Sequence, residues 1–564
     1  METTETINDK KTKTMSIKNE IPLDGVAGLK QNLVADLTSG FMVFLLALPL
    51  SLGIGKASGI PNPIFGVVTA IIGGLIVSLL SGSRLTIKGP AAGLIPIISG
   101  CVAAFGGGEQ GWHLALGCIV VASLLQIVFG LLKMGNFADF FPGAAIHGML
   151  ASIGVMIIIK QLPILFGVNG KFLKDATTAP IDPTTGVADL TKAKGYDIVG
   201  LVKHMPDILS NYDKNILIIG LISLAIVFGF SFIKSGFLKK IPAPLVVIVI
   251  AISLGISFVI KDTPGALVKT GKITDILSQS FINVSFDGIT SNPGVFIKWV
   301  IFIALVGSLE SLLTVKAIDG LDPWKRKSNA NKDLTGVGVG NALTGMIGGS
   351  PMIAEVVRSS ANVGFGAKTR WANFFHGMFL LVALLVAVPI IEVIPYSALA
   401  ALLIFAGYRL ASPKEFKHMF HLGLDQFVVF VVTILVCAGD DLLMGVATGI
   451  VLELILNIAS GAGVGNLFKS RSEITTNGNN VIVKVSGDAL FSNYLGLKKK
   501  IYAIEKGKLV TVDLSACKVV DHTSLQSLKE FKTQYENDGG GVTLTGYELH
   551  SSKGHDETST RVKK

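Results

Sequence analysis

The chain has 564 residues; half of them are hydrophobic, 16% are charged and the formal net charge is +10. A soluble globular protein carries about 25% charged residues, so this composition excludes an ordinary cytosolic enzyme, a secreted disulfide scaffold and a disordered chain. It predicts a polytopic helical membrane protein embedded in a lipid bilayer. In such a protein the excess of Lys and Arg belongs to cytoplasmic loops and does not indicate a nucleic-acid partner.

The N-terminal residues 1–30 are polar and carry no apolar stretch of the signal-peptide kind, so we expect a cytoplasmic segment. Apolar stretches follow between residues 38 and 460. There are about fourteen, each a candidate for the roughly 20 residues of helix that cross a bilayer. They define a predicted transmembrane domain over residues 31–462. We expect a multi-pass protein of the bacterial inner membrane, and Lys and Arg in the short loops predict that both termini lie in the cytoplasm.

The composition changes at about residue 473, where strand-like and helix-like stretches begin to alternate. Such alternation predicts a small α/β domain over residues 473–548, and the polar residues 551–564 predict a disordered tail. The predicted elements are strands at 481–486, 509–514 and 542–545 and helices at 489–505 and 523–537.

The membrane part is predicted to consist of two similar halves, at about 31–260 and 295–460, and each half contains a Gly/Pro break. One break is Gly89-Pro90 and the other is Gly348-Gly349-Ser350-Pro351. Each opens the third span of its half, and because seven spans per half is an odd number, the second half must be inverted. Paired short, Gly/Pro-interrupted segments are the best pointer in a sequence to the binding site of a transporter.

These breaks predict an anion site made from helix N-termini. The first turn of a helix carries unpartnered N–H groups and about half a positive charge, so two facing N-termini attract an anion without a buried basic side chain. Ser350 is a natural N-cap and Pro351 a natural first residue; the alternative is that both breaks are ordinary kinks. The predicted substrate-binding residues are Gly89, Pro90, Ala91, Ala92, Gly93, Ser350, Met352, Ile353, Ala354, Glu355 and Arg358.

Glu310 and Thr314 form a predicted coupling-ion site. A carboxylate within an apolar helix costs about 2.5–3.5 kcal/mol, and Thr314 lies on the same helix face. The carboxyl group either binds Na⁺ together with backbone carbonyls or carries H⁺ after desolvation; the alternative is a structural hydrogen bond. Glu355 and Arg358, three residues apart, either pair with each other or leave Arg358 to attract the anion.

Several short motifs occur together and in one order, namely Asp36-Leu-Thr-Ser-Gly40, Ala47-Leu-Pro49, Ala57-Ser-Gly59, Gly89-Pro90, the Glu310 segment and Arg358-Ser-Ser-Ala-Asn362. Through them the chain resembles the SulP (sulfate permease) family of anion transporters, and the stretch from Val512 to Thr523 resembles the signature of its C-terminal STAS domain. The resemblance implies a seven-plus-seven inverted repeat of core and gate bundles, an anion site between the third and tenth spans, elevator-like alternating access and a homodimer.

The same resemblance implies roles for three side chains. Glu310 stands where some Na⁺-coupled bicarbonate carriers have aspartate, a difference that favours H⁺ over Na⁺. Glu355 would repel an anion, so it either points away or is protonated. Thr523 matches the place of a phosphorylatable hydroxyl in small bacterial STAS proteins and is either a regulatory site or a helix cap.

The sequence therefore predicts secondary active transport of a small inorganic anion, sulfate or bicarbonate, coupled to H⁺ or Na⁺. The alternatives are a C4-dicarboxylate transporter, a STAS-based membrane anion sensor and a nucleobase carrier. The last would need aromatic and amide side chains near the breaks, which the sequence does not offer there. The four cysteines form no CxxC pair, so no metal, cofactor or disulfide framework is predicted, and an enzyme is the least expected class.

Overall fold

The computed structural model describes residues 21–135, 141–168, 203, 205–233, 241–263, 265–269, 283–439, 442–469 and 471–564. Residues 1–20 of the predicted N-terminal segment lie outside that part. The chain divides into two compact units, one made of residues 1–135 and 159–405 and the other of residues 136–158 and 406–564.

Apolar helices build the membrane part. Among the described residues, five helices are long and apolar enough to cross a membrane, and several shorter ones are similarly apolar. In chain order the helices are α1 (Gly25–Ala57), α2 (Ile64–Leu80), α3 (Ile95–Ala104), α4 (Gly108–Leu131), α5 (Gly143–Phe166), α6 (Met205–Ser210), α7 (Lys214–Ser231), α8 (Ala243–Ser257), α9 (Gly288–Ser291), α10 (Pro293–Leu321), α11 (Ala330–Met346), α12 (Val356–Gly364), α13 (Trp371–Val386), α14 (Val388–Ile391), α15 (Tyr396–Leu410), α16 (Pro413–Leu422), α17 (Leu424–Gly439) and α18 (Leu442–Ala459).

Two extended segments interrupt this helical order. Strand β1 (Lys88–Pro90) precedes α3, and strand β2 (Met352–Ala354) precedes α12. The two strands pair antiparallel, so the broken segments of the two halves run in opposite directions, as expected for inverted repeats. A methyl group at Gly73 of α2 would lie 2.4 Å from the carbonyl oxygen of Lys88, and this glycine therefore lets β1 pack directly on the helix backbone.

The C-terminal part is a small α/β domain. Its strands are β3 (Arg471–Asn477), β4 (Asn480–Ala489), β5 (Leu509–Val520), β6 (Gly541–Thr545), β7 (His550–Ser552) and β8 (Arg561–Lys563), and its helices are α19 (Tyr494–Ile501) and α20 (His522–Asn537). The sheet order is β3-β4-β5-β8-β7, and β6 pairs with β5. Alternate residues of the parallel strands β4 and β5, such as Val483 and Val512, point into a core closed by Leu528 of α20.

The structure corrects the prediction of a disordered tail at 551–564. Strands β7 and β8 form an antiparallel hairpin there, and β8 pairs with the end of β5 through Val519 and Val562. The ring of His550 anchors the hairpin, with Nε2 lying 2.8 Å from the carbonyl oxygen of Cys517. The polar composition of the segment misled the prediction, because its order comes from pairing with a strand distant in sequence.

Candidate functional site

The two Gly/Pro breaks meet as a short β ribbon. Gly89 pairs with Ile353 and Pro90 with Met352, and all six residues of the two strands are buried. The ribbon extends by one further bond, from the amide of Glu355 to the carbonyl oxygen of Ile87, at 2.9 Å. The predicted proximity of the breaks therefore holds in the structure, although 260 or so residues separate them in the chain.

The helices begin later than the sequence predicted. The turn at Ala92–Leu94 leads into α3, and α12 starts at Val356, so Ser350 and Pro351 are not the N-cap and first residue of a helix. A proline biases the preceding residue toward extended backbone, which fits Gly89 in β1, whereas β2 begins only after Pro351. Ser350 instead accepts a hydrogen bond on its carbonyl oxygen from Thr69 Oγ1, at 2.9 Å.

Side chains from neighbouring helices hold the ribbon, and sequence reasoning missed them. Asn341 of α11 binds both backbone groups of Met352: its Oδ1 accepts from the amide at 2.6 Å and its Nδ2 donates to the carbonyl oxygen at 3.1 Å. Ser311 accepts from the amide of Ala354, and Ser359 accepts from the amide of Ile87. An asparagine within the run of mostly small and apolar residues at 336–345 was the signal that could have revealed this clamp.

A buried ion pair fixes the start of β1. The Lys88 ammonium lies 2.7 Å from Asp333 Oδ2, and the two side chains are 0% and 1% exposed. Asp333 also accepts hydrogen bonds from the Ser81 hydroxyl and the Ser83 amide. Buried charges persist only when they are paired and hydrogen-bonded, so α11 anchors β1 through Asp333 and β2 through Asn341.

Arg358 lies fully buried beside the ribbon. Its Nη2 donates a long hydrogen bond of 3.4 Å to the Pro90 carbonyl oxygen, and its Nε and Nη1 have no partner among the described residues. The predicted pairing of the Glu355 and Arg358 side chains is not formed. Glu355 is the N-cap of α12 instead, and its Oε2 accepts from the Arg358 backbone amide at 2.9 Å.

Glu310 reaches the first turn after β1. It is 6% exposed on α10, and a methyl group at Gly93 would lie only 2.0 Å from its Oε1. That oxygen accepts no hydrogen bond within the described part of the chain. Thr314, one turn further along α10, is also buried.

The structure thus gathers most of the predicted site residues. Those in the ribbon and the turn that follows it are Gly89, Pro90, Ala91, Ala92, Gly93, Met352, Ile353 and Ala354. Thr523 belongs to the α/β domain, and its Oγ1 accepts a hydrogen bond from the Gly143 amide at 2.9 Å. The alternative role of Thr523 as a helix cap is wrong, because Asp521 caps α20 by accepting from the Ser524 amide.

Inverted halves, two paired broken segments and an appended α/β domain define a class of polytopic helical membrane protein. The chain belongs to the sulfate permease family: the family model matches residues 33–433, and the STAS domain model matches residues 471–548. The predicted family resemblance and fold class are both confirmed, and the protein is a multi-pass membrane protein.

Named relatives share most of the chain. A putative sulfate transporter of Bacillus subtilis, YvdB, is 26% identical over 435 residues, which cover 76% of this chain and 74% of the relative. The bicarbonate transporter BicA of Synechocystis is 24% identical over 546 residues, covering 92% and 88%. The solved transmembrane domain of a cyanobacterial bicarbonate transporter BicA matches with a TM-score of 0.61 at 23% identity, covering 74% of this chain and 97% of that chain.

Proposed function

We propose that this chain is a secondary active transporter that moves a small inorganic anion, sulfate or bicarbonate, by alternating access. The observation that carries the proposal is the fully buried guanidinium of Arg358 beside the β1–β2 ribbon, where two N–H-bearing nitrogens have no partner among the described residues. Buried donors are nearly always satisfied, and a small oxyanion offers several acceptors in a compact shape. The names of the relatives, sulfate and bicarbonate transporters, favour the same substrate class.

Backbone groups complete the proposed anion site. The first turns of α3 and α12 flank the ribbon, and that of α3 offers N–H groups and partial positive charge, whereas Glu355 caps α12. The Glu355 carboxylate accepts a hydrogen bond from the Arg358 backbone amide, so its negative charge lies at the start of α12. The electrostatic attraction for an anion therefore rests on Arg358 together with the turn at Ala92–Leu94.

Glu310 is the proposed coupling group. Its carboxyl group touches Gly93 in that turn, so a change in its charge acts directly on the anion site. Glu310 is buried, and no described residue donates to its Oε1. This favours the neutral acid over the carboxylate, which supports H⁺ as the coupling ion over Na⁺. A protonated Glu310 removes a negative charge from the site as the anion binds.

The proposal includes the setting of the transporter. It acts in a bacterial inner membrane as a homodimer. Both termini lie in the cytoplasm, because Lys and Arg in short loops favour the cytoplasmic side. The STAS domain then faces the cytoplasm, and Thr523 is its candidate regulatory hydroxyl.

Uptake into proteoliposomes tests the proposal. Tracer sulfate, bicarbonate and succinate are offered at two pH values, with and without a Na⁺ gradient, to the wild type, Glu310→Gln and the control Glu109→Gln, which changes an exposed carboxyl group at the start of α4. We expect sulfate or bicarbonate uptake driven by an inward H⁺ gradient, lost in Glu310→Gln and retained in Glu109→Gln. Gradient-driven uptake by Glu310→Gln would exclude the coupling role, and binding without flux in the wild type would favour the sensor alternative.

A further inference from the structure

The C-terminal hairpin connects the α/β domain to membrane helices within one compact unit. On the side of the domain, β8 pairs with β5. On the side of the helices, the His555 amide donates to the His421 carbonyl oxygen of α16 at 2.8 Å, and the Lys553 ammonium donates to the hydroxyl of Ser460, which directly follows α18. The segment from 553 to 560 therefore bridges the sheet and the ends of α16 and α18.

Three side chains meet at the base of this bridge and form what we call the Glu453 junction: Gln426 of α17, Glu453 of α18 and Thr560 of the hairpin. Gln426 Nε2 donates to Glu453 Oε1 at 2.9 Å and to Thr560 Oγ1 at 3.4 Å. The three residues are at most 1% exposed. Each contact therefore forms in an environment without bulk water, where an unmet hydrogen bond is costly.

The atoms left over at the junction are complementary. Glu453 Oε2 and Gln426 Oε1 both lack a donor among the described residues. An ionised carboxylate has only acceptors, whereas a carboxylic acid also has one O–H donor. A proton on Oε2 would let the acid donate to the amide oxygen while it accepts from the amide nitrogen, so one proton would satisfy both orphan atoms.

The surrounding charges favour the same protonation state. Asp425 of α17 and Asp521 of α20 act on Glu453 as negative neighbours, and Lys553 of the hairpin is the positive one. The Lys553 ammonium is already engaged by Ser460. An isolated buried carboxylate beside two further acids is unfavourable.

We infer that Glu453 is a proton-binding site that couples pH to the docking of the C-terminal hairpin. In the docked state Glu453 is protonated, pairs with Gln426 and leaves Gln426 Nε2 to hold Thr560. When Glu453 releases this proton to water, its new negative charge is repelled by Asp521 and Asp425, and the hairpin loosens. Docking therefore strengthens as the pH falls and weakens as the pH rises, which makes the junction a pH sensor between the STAS domain and the membrane helices.

Asp521 supports this direction independently of Glu453. Burial raises the pKa of Asp521 to about 6, despite the hydrogen bonds that its carboxylate accepts from the Ser524 and Phe491 amides. An acid whose pKa is higher in the folded state than in the unfolded state contributes stability at low pH, and this contribution is lost as the pH rises. Both acids of the interface therefore act in the same sense.

Hydrogen exchange on the full chain in nanodiscs tests the inference. The readout is the protection of the Lys553 and His555 amides, whose hydrogen bonds close the bridge, after correction for the intrinsic pH dependence of exchange. For the wild type we expect protection to fall as the pH rises, by up to about tenfold per pH unit for a single linked proton. Glu453→Gln, in which an amide replaces the acid, should retain only the dependence that Asp521 contributes near pH 6, while Glu536→Gln on the exposed face of α20 should titrate like the wild type.

Infrared difference spectroscopy of the same samples observes the proton itself. We expect a band of a protonated carboxylic acid that disappears as the pH rises. Subtracting the Glu453→Gln spectrum from that of the wild type should isolate this band from the acids of Glu310 and Asp521. If Glu453→Gln does not fold, Glu453→Asp takes its place and should shift both titrations together. An unchanged pH slope in Glu453→Gln, a wild type without any slope, or the same set of carboxylic acid bands in wild type and Glu453→Gln would each overturn the inference.

Discussion

Gly93→Ala tests the contact between the turn after β1 and Glu310. The added methyl group would lie 2.0 Å from Oε1 and 2.4 Å from Oε2 of the carboxyl group, so the buried side chain must move by about 1 Å or more to reach an ordinary contact distance. Overpacking of this kind costs about 1–3 kcal/mol. We expect the lower end of that range for stability, since the carboxyl group ends a flexible side chain, and a large loss of coupled uptake.

A double-mutant cycle separates this contact from any intrinsic effect of alanine. In a Glu310→Ala background the methyl group meets no carboxyl group, and replacing glycine at a compatible backbone position stabilises a protein by about 0.4–1 kcal/mol. The sign of the Gly93→Ala effect should therefore reverse between the two backgrounds. The assay is reversible unfolding in mixed detergent micelles followed by the fluorescence of the four tryptophans. Equal destabilisation in both backgrounds would refute the proposed contact.

Three further predictions concern the ribbon and the α/β domain. Gly89→Ala places a methyl group 2.7 Å from Arg358 Nη1; tracer uptake should show a raised KM with a smaller change in maximal rate, and an unchanged KM would contradict the role of Arg358. Asn341→Leu leaves the buried amide and carbonyl groups of Met352 without partners, which should lower the free energy of unfolding by about 1–3 kcal/mol for each group. Unfolding in mixed micelles measures this loss. A loss of stability below this range would mean that other groups replace the side chain of Asn341. Because the pKa of Asp521 rises from 3.8 to about 6, the α/β domain should lose up to about 3 kcal/mol of stability between pH 4 and about pH 6. Asp521→Asn, which keeps a capping oxygen, should flatten that dependence in denaturant titrations, and an unflattened curve would assign it to other groups.

The sequence predicted the parts of the fold that local patterns determine. Apolar stretches located the spans, and the two Gly/Pro breaks located the segments that meet in the ribbon. The predicted first residues of the two helices were wrong, because glycine and proline indicate where a helix is interrupted but not whether the chain turns or extends there. The extended backbone at Met352 depends on Asn341 and on β1, and neither belongs to the short stretch of sequence around Met352.

Elements that depend on distant partners could not be predicted in the same way. Residues 551–564 have a polar composition typical of tails, yet β8 is ordered by its pairing with β5. Likewise, Thr523 occupies the expected position in its signature, but its hydroxyl oxygen accepts a hydrogen bond from the amide of Gly143 and does not cap its own helix. In both cases the decisive contact crosses a long stretch of sequence.

The β1–β2 ribbon has a consequence for biogenesis. Its strands are contributed by different halves and lie about 260 residues apart, so at a synthesis rate of about 5–20 residues per second β1 leaves the ribosome roughly 13 to 50 s before β2 exists. During that interval the first half carries backbone donors and acceptors that lipid cannot satisfy. Until the second half has been synthesised, an insertase or a water-filled translocation channel must therefore keep these backbone groups of the first half away from lipid.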